Sequence, residues 1–133
     1  MPFTRISLYT GKSTTYLTAI ADALDRAMVE CFDVPEHDRF VAFDQLQPGE
    51  FIFDRHYRGG PRSDDFVLFH ITTGKARSAE TKQHFYRCLV LYLGQAPGLR
   101  PEDVMVAIVN STFEDWSFGS GLSAIDEVER TQP

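Results

Sequence analysis

The chain has 133 residues, 43% hydrophobic and 24% charged, which is enough to bury one core and leaves no room for a long disordered stretch. With 13 Lys+Arg against 19 Asp+Glu, its net charge is -6, so it lacks the basic surface that nucleic acid or an anionic membrane requires. No apolar run reaches the ~18–20 residues of a membrane span and no signal-peptide pattern opens the chain, so the expectation is one cytoplasmic domain over residues 1–133, with neither nucleic acid nor membrane as partner.

Met1-Pro2-Phe3 leads directly into Phe3, Ile6 and Leu8, which reads as a strand with no leader ahead of it. The small residue behind Met1 permits its removal, and Pro2 would then carry a free secondary amine at the head of a buried strand, able to act as a base or an electrophile. Proline also falls at the second position by chance, so the rest of the chain must decide its meaning. Thr10-Gly11-Lys12-Ser13 looks like the end of a phosphate loop, but Ile6 stands where the leading glycine is needed, which excludes a nucleotide site. Ser13 is a natural N-cap, and Leu17, Ile20, Leu24, Ala27, Met28 and Cys31 follow at helical spacing. Val34-Pro35-Glu36 closes that helix and leads to a strand at Phe40-Val41-Ala42-Phe43. Asp38, among Glu36, His37 and Arg39, reads by itself as a solvated turn acid. The stretch from Gln45 to Asp65 is a connector, with a short Phe51-Ile52-Phe53 strand in a hairpin or at an edge and a turn at Arg58-Gly59-Gly60-Pro61.

The second half repeats the first at an offset of roughly 63–66 residues. Phe66 opens a strand ending in Thr73-Gly74-Lys75-Ala76-Arg77-Ser78. Ser78 caps a helix carrying Phe85, Cys88, Leu89, Tyr92 and Leu93, Arg100-Pro101-Glu102 closes it, and Val104 to Val109 form the last strand. The fold class is α+β: two β-α-β repeats, about residues 2–45 and 66–110, form one four-stranded sheet with both helices on one face. Two helices leave the other face bare, and the Val104 to Val109 strand is too apolar to be solvated there, so an oligomer is expected. The C-terminal segment 111–133 holds Asp115-Trp116-Ser117-Phe118-Gly119-Ser120-Gly121, a short strand or loop packing on a neighbour, and then an acidic, frayed end. Cys31 and Cys88 lie on apolar helix faces and are expected as buried free thiols. Neither they nor the four histidines have a metal spacing, and no cofactor is expected.

This duplicated β-α-β chain with Pro2 at its head resembles the tautomerase superfamily, and within it the malonate semialdehyde decarboxylase group. The resemblance rests on Pro2, Ala27-Met28-Val29 with Phe32 and Val34-Pro35, Asp38-Arg39, Pro48-Gly49-Glu50, Arg77-Ser78 with Glu80 and Lys82, Phe85-Tyr86, Pro101-Glu102-Asp103-Val104, and above all Asp115-Trp116-Ser117-Phe118-Gly119. It spans roughly residues 2–121 and implies a homotrimer acting on a small carboxylate substrate without a cofactor. One departure stands out: the group carries two arginines separated by a single residue just before the second helix, whereas this chain has Lys75-Ala76-Arg77, with Lys75 in place of the first. Lysine offers a mobile point charge where arginine offers a flat two-pronged fork.

The resemblance implies Pro2, Asp38, Arg77 and Lys75 as catalytic residues, and Arg77, Lys75, Trp116 and Phe118 as substrate-binding ones. For a 3-oxo acid, Pro2 would stabilise charge flowing into the carbonyl as carbon dioxide leaves, Arg77 and Lys75 would hold the carboxylate, Asp38 would orient water, and the two aromatics would exclude it. The ordinary alternatives are exposed basic residues before a helix and an aromatic pair used in subunit packing. Two cations at a helix N-terminus oppose its dipole unless an anion sits there, which favours a carboxylate site. The leading expectation is malonate semialdehyde decarboxylation. Tautomerisation of an enol such as phenylpyruvate, or addition of water to an unsaturated acid, stands second, and a cytokine-like binding module last.

Overall fold

The structure, a computed structural model, describes residues 1–131. In chain order it has β1 (Pro2–Tyr9), α1 (Thr14–Cys31), β2 (Val41–Leu46), β3 (Val67–Thr73), α2 (Ala79–Gln95), β4 (Val104–Asn110) and α3 (Ala124–Thr131), with 3-10 turns at Pro101–Asp103 and Phe113–Asp115. The expected caps are in place: the Ser13 hydroxyl accepts from the Tyr16 amide and that of Ser78 from the Thr81 amide, each satisfying a donor the first helical turn would leave open.

The sheet order is β2-β1-β3-β4. β1 and β2 run parallel, as do β3 and β4, and the two β-α-β halves join antiparallel along β1 and β3. Alternation along β1 turns Pro2, Thr4, Ile6 and Leu8 inward and leaves Phe3, Arg5, Ser7 and Tyr9 on the opposite face. Ile6, Phe69 and Ile71 of the sheet pack with Ile20, Leu24, Phe85, Leu89 and Leu93 of the helices, all essentially inaccessible to solvent. Both long helices therefore cover one face. On the other, Met105 and Val109 of β4 are exposed, and the Arg5 guanidinium donates to Asp44 through two bonds of 3.1 and 2.6 Å. No helix of the described residues is long and apolar enough to cross a membrane.

Three expectations are corrected. Residues 51–53 form no strand: their alternation instead brings the rings of Phe51 and Phe53 onto Phe66, at centroid distances of 5.6 and 4.4 Å, and Ile52 points into solvent. The end of the chain is not frayed over the described residues but helical. Ser123 accepts from the Ile125 amide, Asp126 and Glu127 complement the helix dipole, and the amide of the buried Ala124 donates to Trp116 O at 2.9 Å. Residues 132–133, which the same expectation included, lie outside the described residues. Cys31 and Cys88 are not free thiols. The packing of α1 on α2 brings them together as a disulfide with Cα atoms 6.8 Å apart.

Asp103 anchors the connector to the start of β4. It is 1% exposed and accepts from the Ser63 amide and hydroxyl, both at 2.6 Å, and from Arg100 Nε at 3.3 Å. Burial pushes its carboxyl up, but the bonds from Ser63 and Arg100 outweigh this and hold it below the usual carboxylate value. A lowered native pKa stabilises the fold above the unfolded value and loses that effect as pH falls through the native one. Asp103→Asn is expected to cost about 2–4 kcal/mol at pH 7 in urea unfolding, and the gap to the parent should narrow below about pH 4.

Candidate active site

The head of β1 is where the sequence concentrates its unusual residues. Proline costs little there, since the first residue of a strand can forgo its ladder donor. Pro2 pairs with Thr73, the last residue of β3, and is buried. The Thr73 carbonyl accepts from both the amide and the hydroxyl of Ser111, each at 2.7 Å, and the Ser111 hydroxyl in turn accepts from Trp116 Nε1 at 2.7 Å. This relay fixes the indole against the strand ends that carry Pro2. Trp116 stacks on Phe118 with ring centroids 5.8 Å apart, and the pair joins Pro2, Phe3 and Phe40 around a cavity of about 200 Å³.

Met1 reaches into the same place. A Cβ on Gly74 would lie 2.7 Å from the Met1 terminal methyl and 3.4 Å from Trp116 Nε1, so the bare glycine leaves the room that the end of the Met1 side chain takes up beside the indole. The Met1 ammonium pairs with Asp38 Oδ2 at 2.9 Å, both side chains about one-fifth exposed. Asp38 also lines a narrow cleft with Pro2, Thr4 and Met28. The amino terminus and one carboxylate therefore meet at the head of β1.

Arg77 precedes α2 but is bound to the end of α1. Its Nε donates to Phe32 O at 3.0 Å, one terminal nitrogen to Asp33 O at 3.2 Å and the other to Lys75 O at 2.6 Å. The guanidinium also lies 4.6 Å from the Phe32 ring centroid. A cation there is favoured by the carbonyl end of α1, a role that reading Arg77 only against α2 misses. Three of its five N–H groups are used in these bonds, leaving one on each terminal nitrogen. Burial lowers the guanidinium pKa, while the negative charges of Asp33 and Asp38 raise it, so Asp38 is close enough to act on Arg77 electrostatically. At neutral pH the group remains a cation.

Lys75 is placed differently. Its ammonium sits 3.0 Å from Asp33 Oδ2 with both side chains mostly exposed, an ion pair of small energetic weight. The structure thus gathers Pro2, Asp38, Trp116 and Phe118 around the amino terminus, keeps Arg77 within electrostatic range of Asp38, and turns Lys75 outward. Phe40, Gly74, Ser111 and the Phe32 and Asp33 carbonyls also shape the site, and sequence reading did not assign them there. Two of the larger grooves among the described residues offer less chemistry. One of about 590 Å³ contains Arg39 already paired with Asp22 and Asp25, and one of about 630 Å³ along α2 is almost wholly apolar.

A family model described as tautomerase enzyme matches residues 38–119, and a second of the same description matches residues 2–59. This chain is similar to the probable tautomerase YusQ of Bacillus subtilis (strain 168), at 33% identity over 127 residues, covering 96% of this chain and 100% of that protein. Among solved structures it is similar to malonate semialdehyde decarboxylase, studied for its decarboxylase and hydratase activities, with a TM-score of 0.87 and 33% identity over 98% of this chain and 99% of that one. A malonate semialdehyde decarboxylase inhibited by 3-bromopropiolate gives a TM-score of 0.86, again at 33% identity and with the same coverage of both chains.

Proposed function

The chain belongs to the tautomerase superfamily of enzymes, and from that premise we propose that it is a cofactor-independent decarboxylase of small 3-oxo acids, with malonate semialdehyde as the leading substrate and Pro2 as the reacting amine. The observation that carries this reading is the meeting of the amino terminus with Asp38, at 2.9 Å, beside the cavity walled by Trp116 and Phe118. Removal of Met1 would vacate the space against Gly74 and leave Pro2 nitrogen as the amino terminus facing that carboxylate.

In the proposed reaction, Pro2 either donates a hydrogen bond from its protonated amine to the substrate carbonyl oxygen or condenses with the aldehyde to an iminium, releasing water. The bond to the carboxylate breaks, its electron pair flows into the carbonyl or iminium, and carbon dioxide leaves. Protonation of the resulting carbon, and hydrolysis where an iminium formed, gives acetaldehyde. Arg77 would present its two remaining N–H groups to the carboxylate and turn the breaking bond out of the carbonyl plane. Asp38 would orient water or pass a proton, and Trp116 and Phe118 would keep bulk water away. Lys75, held on Asp33, would contribute positive field more than contact.

One observation favours a second reading. With Lys75 turned to Asp33, a single fork remains for the carboxylate, which suits a less stringent site that tautomerises enols of 2-oxo acids such as phenylpyruvate or hydrates unsaturated acids. We further propose a cytoplasmic homotrimer in which the face bearing Met105 and Val109 is covered by neighbouring subunits. A panel comparing malonate semialdehyde, phenylpyruvate enol and a three-carbon unsaturated acid tests the assignment. The highest kcat/KM is expected for release of carbon dioxide from malonate semialdehyde, and faster ketonisation of phenylpyruvate would shift the assignment to the second reading.

A further inference from the structure

We propose that Cys31 and Cys88 are a reversible redox pair whose disulfide holds the carbonyl cradle of Arg77 and so tunes carboxylate binding at the Pro2 site. This rests on the reading of Arg77 as the carboxylate ligand. Cys31 is the last residue of α1, and the next two residues supply the carbonyls that take Arg77 Nε and one of its terminal nitrogens. The turn they form carries some backbone strain, although aspartate tolerates it better than most residues do. Asp33 has φ 54, in the left-handed region where glycine is preferred, and the amides of both Phe32 and Val34 converge on Met28 O at 3.1 and 3.2 Å.

Contacts from α2 hold this turn in place. Phe32 packs on Phe85 at 4.5 Å between ring centroids, and one helical turn further along α2, Cys88 is bonded to Cys31. Cutting the sulfur bridge removes the covalent tie between α2 and the end of α1, leaving the Phe32–Phe85 ring packing, the exposed Lys75–Asp33 ion pair and the Arg77 bonds themselves to keep the Phe32 and Asp33 carbonyls in place. The guanidinium then loses fixed geometry, although its charge is unchanged.

The surroundings of the bridge suit exchange. Cys31 is buried, Cys88 partly so, and the exposed His84 one turn earlier places its ring nitrogens 3.8 and 4.0 Å from Cys88 Sγ. In the reduced pair an imidazole at that distance can take the Cys88 proton and make it the attacking thiolate. Oxidation by a low-molecular-weight disulfide then balances in two steps. Cys88 thiolate attacks one sulfur of the small disulfide, whose S–S bond breaks to release a thiolate. Cys31 loses its proton and attacks the Cys88 sulfur, forming the Cys31–Cys88 bond and releasing the second thiolate. Two protons and two electrons pass to the small disulfide, which becomes two thiols, and a dithiol reverses the sequence. In a reducing compartment the bridge would be conditional.

The test compares the unaltered chain treated with oxidised glutathione and with dithiothreitol, the thiol state being fixed by alkylation and mass. Reduction is expected to accelerate amide exchange over residues 28–34 while leaving the segment around Ile20 unchanged, and to raise KM for the preferred oxo-acid about three- to tenfold with a smaller change in kcat. The double variant Cys31→Ser/Cys88→Ser should behave as the reduced chain and ignore both reagents, whereas Cys31→Ser alone should stop at a mixed disulfide of Cys88 with glutathione. Equal exchange over residues 28–34 in the two states, an unchanged KM, or thiols that oxidised glutathione fails to reconnect would overturn the proposal. If no oxo-acid is turned over in either state while exchange still follows the thiols, the reaction assignment fails and the redox control of the Arg77 cradle stands.

Discussion

Pro2→Ala is expected to lower kcat/KM for the preferred oxo-acid by about 10²-fold or more, within the range that loss of a positioned acid or base produces. Alanine also permits loss of Met1, so this variant still presents an amine in the Trp116 cavity. That amine is primary and is no longer fixed by a ring at the head of β1. A residue inserted between Met1 and Pro2 is the sharper partner variant, because it turns the proline nitrogen into an amide that can neither take up a proton nor attack an aldehyde. Its loss should equal or exceed that of Pro2→Ala. Thermal unfolding should barely change in either, since Ile6, Leu8 and the rest of the core are untouched.

Arg77→Ala is expected to raise KM by about 10- to 100-fold, the equivalent of losing one charge-assisted contact to a carboxylate. A fall in kcat with KM unchanged would instead assign Arg77 to alignment of the breaking bond. Because three N–H groups of Arg77 bind the Phe32, Asp33 and Lys75 carbonyls, the alanine variant should also unfold at lower temperature. Arg77→Lys separates the two roles: it restores charge near the end of α1 and should recover part of the stability, while the lost fork keeps KM high. Lys75→Ala should shift KM far less, given that its ammonium is committed to the exposed Asp33.

The β-α-β duplication could be read directly because each half states its elements through physics local to the chain: a serine cap, apolar residues at helical spacing, a proline-acid stop, then an apolar strand. What escaped depends on contacts between segments far apart in sequence. Phe51 and Phe53 have strand alternation, but only the tertiary position of Tyr9 and Phe66 shows that the alternation serves ring packing. Cys31 and Cys88, 57 residues apart, have no spacing that predicts a bond, since it is the crossing of α1 over α2 that sets their distance. The same holds for Arg77, whose partners are carbonyls and therefore leave no mark in residue type. Ser123 before Asp126 and Glu127 was a legible helix start that the acidic composition of the tail obscured.

Pro2, Asp38, Trp116 and Phe118 were singled out through a resemblance, and the structure brings these residues together around the amino terminus. Their proposed roles all depend on whether the proline nitrogen is free. The intact mass of the active enzyme, taken after reaction with malonate semialdehyde and borohydride and followed by mapping of the amino-terminal peptide, measures that directly. The expected result is a chain lacking Met1, with any reductively trapped substrate carbon on Pro2. Full activity in a chain that retains Met1 would contradict it.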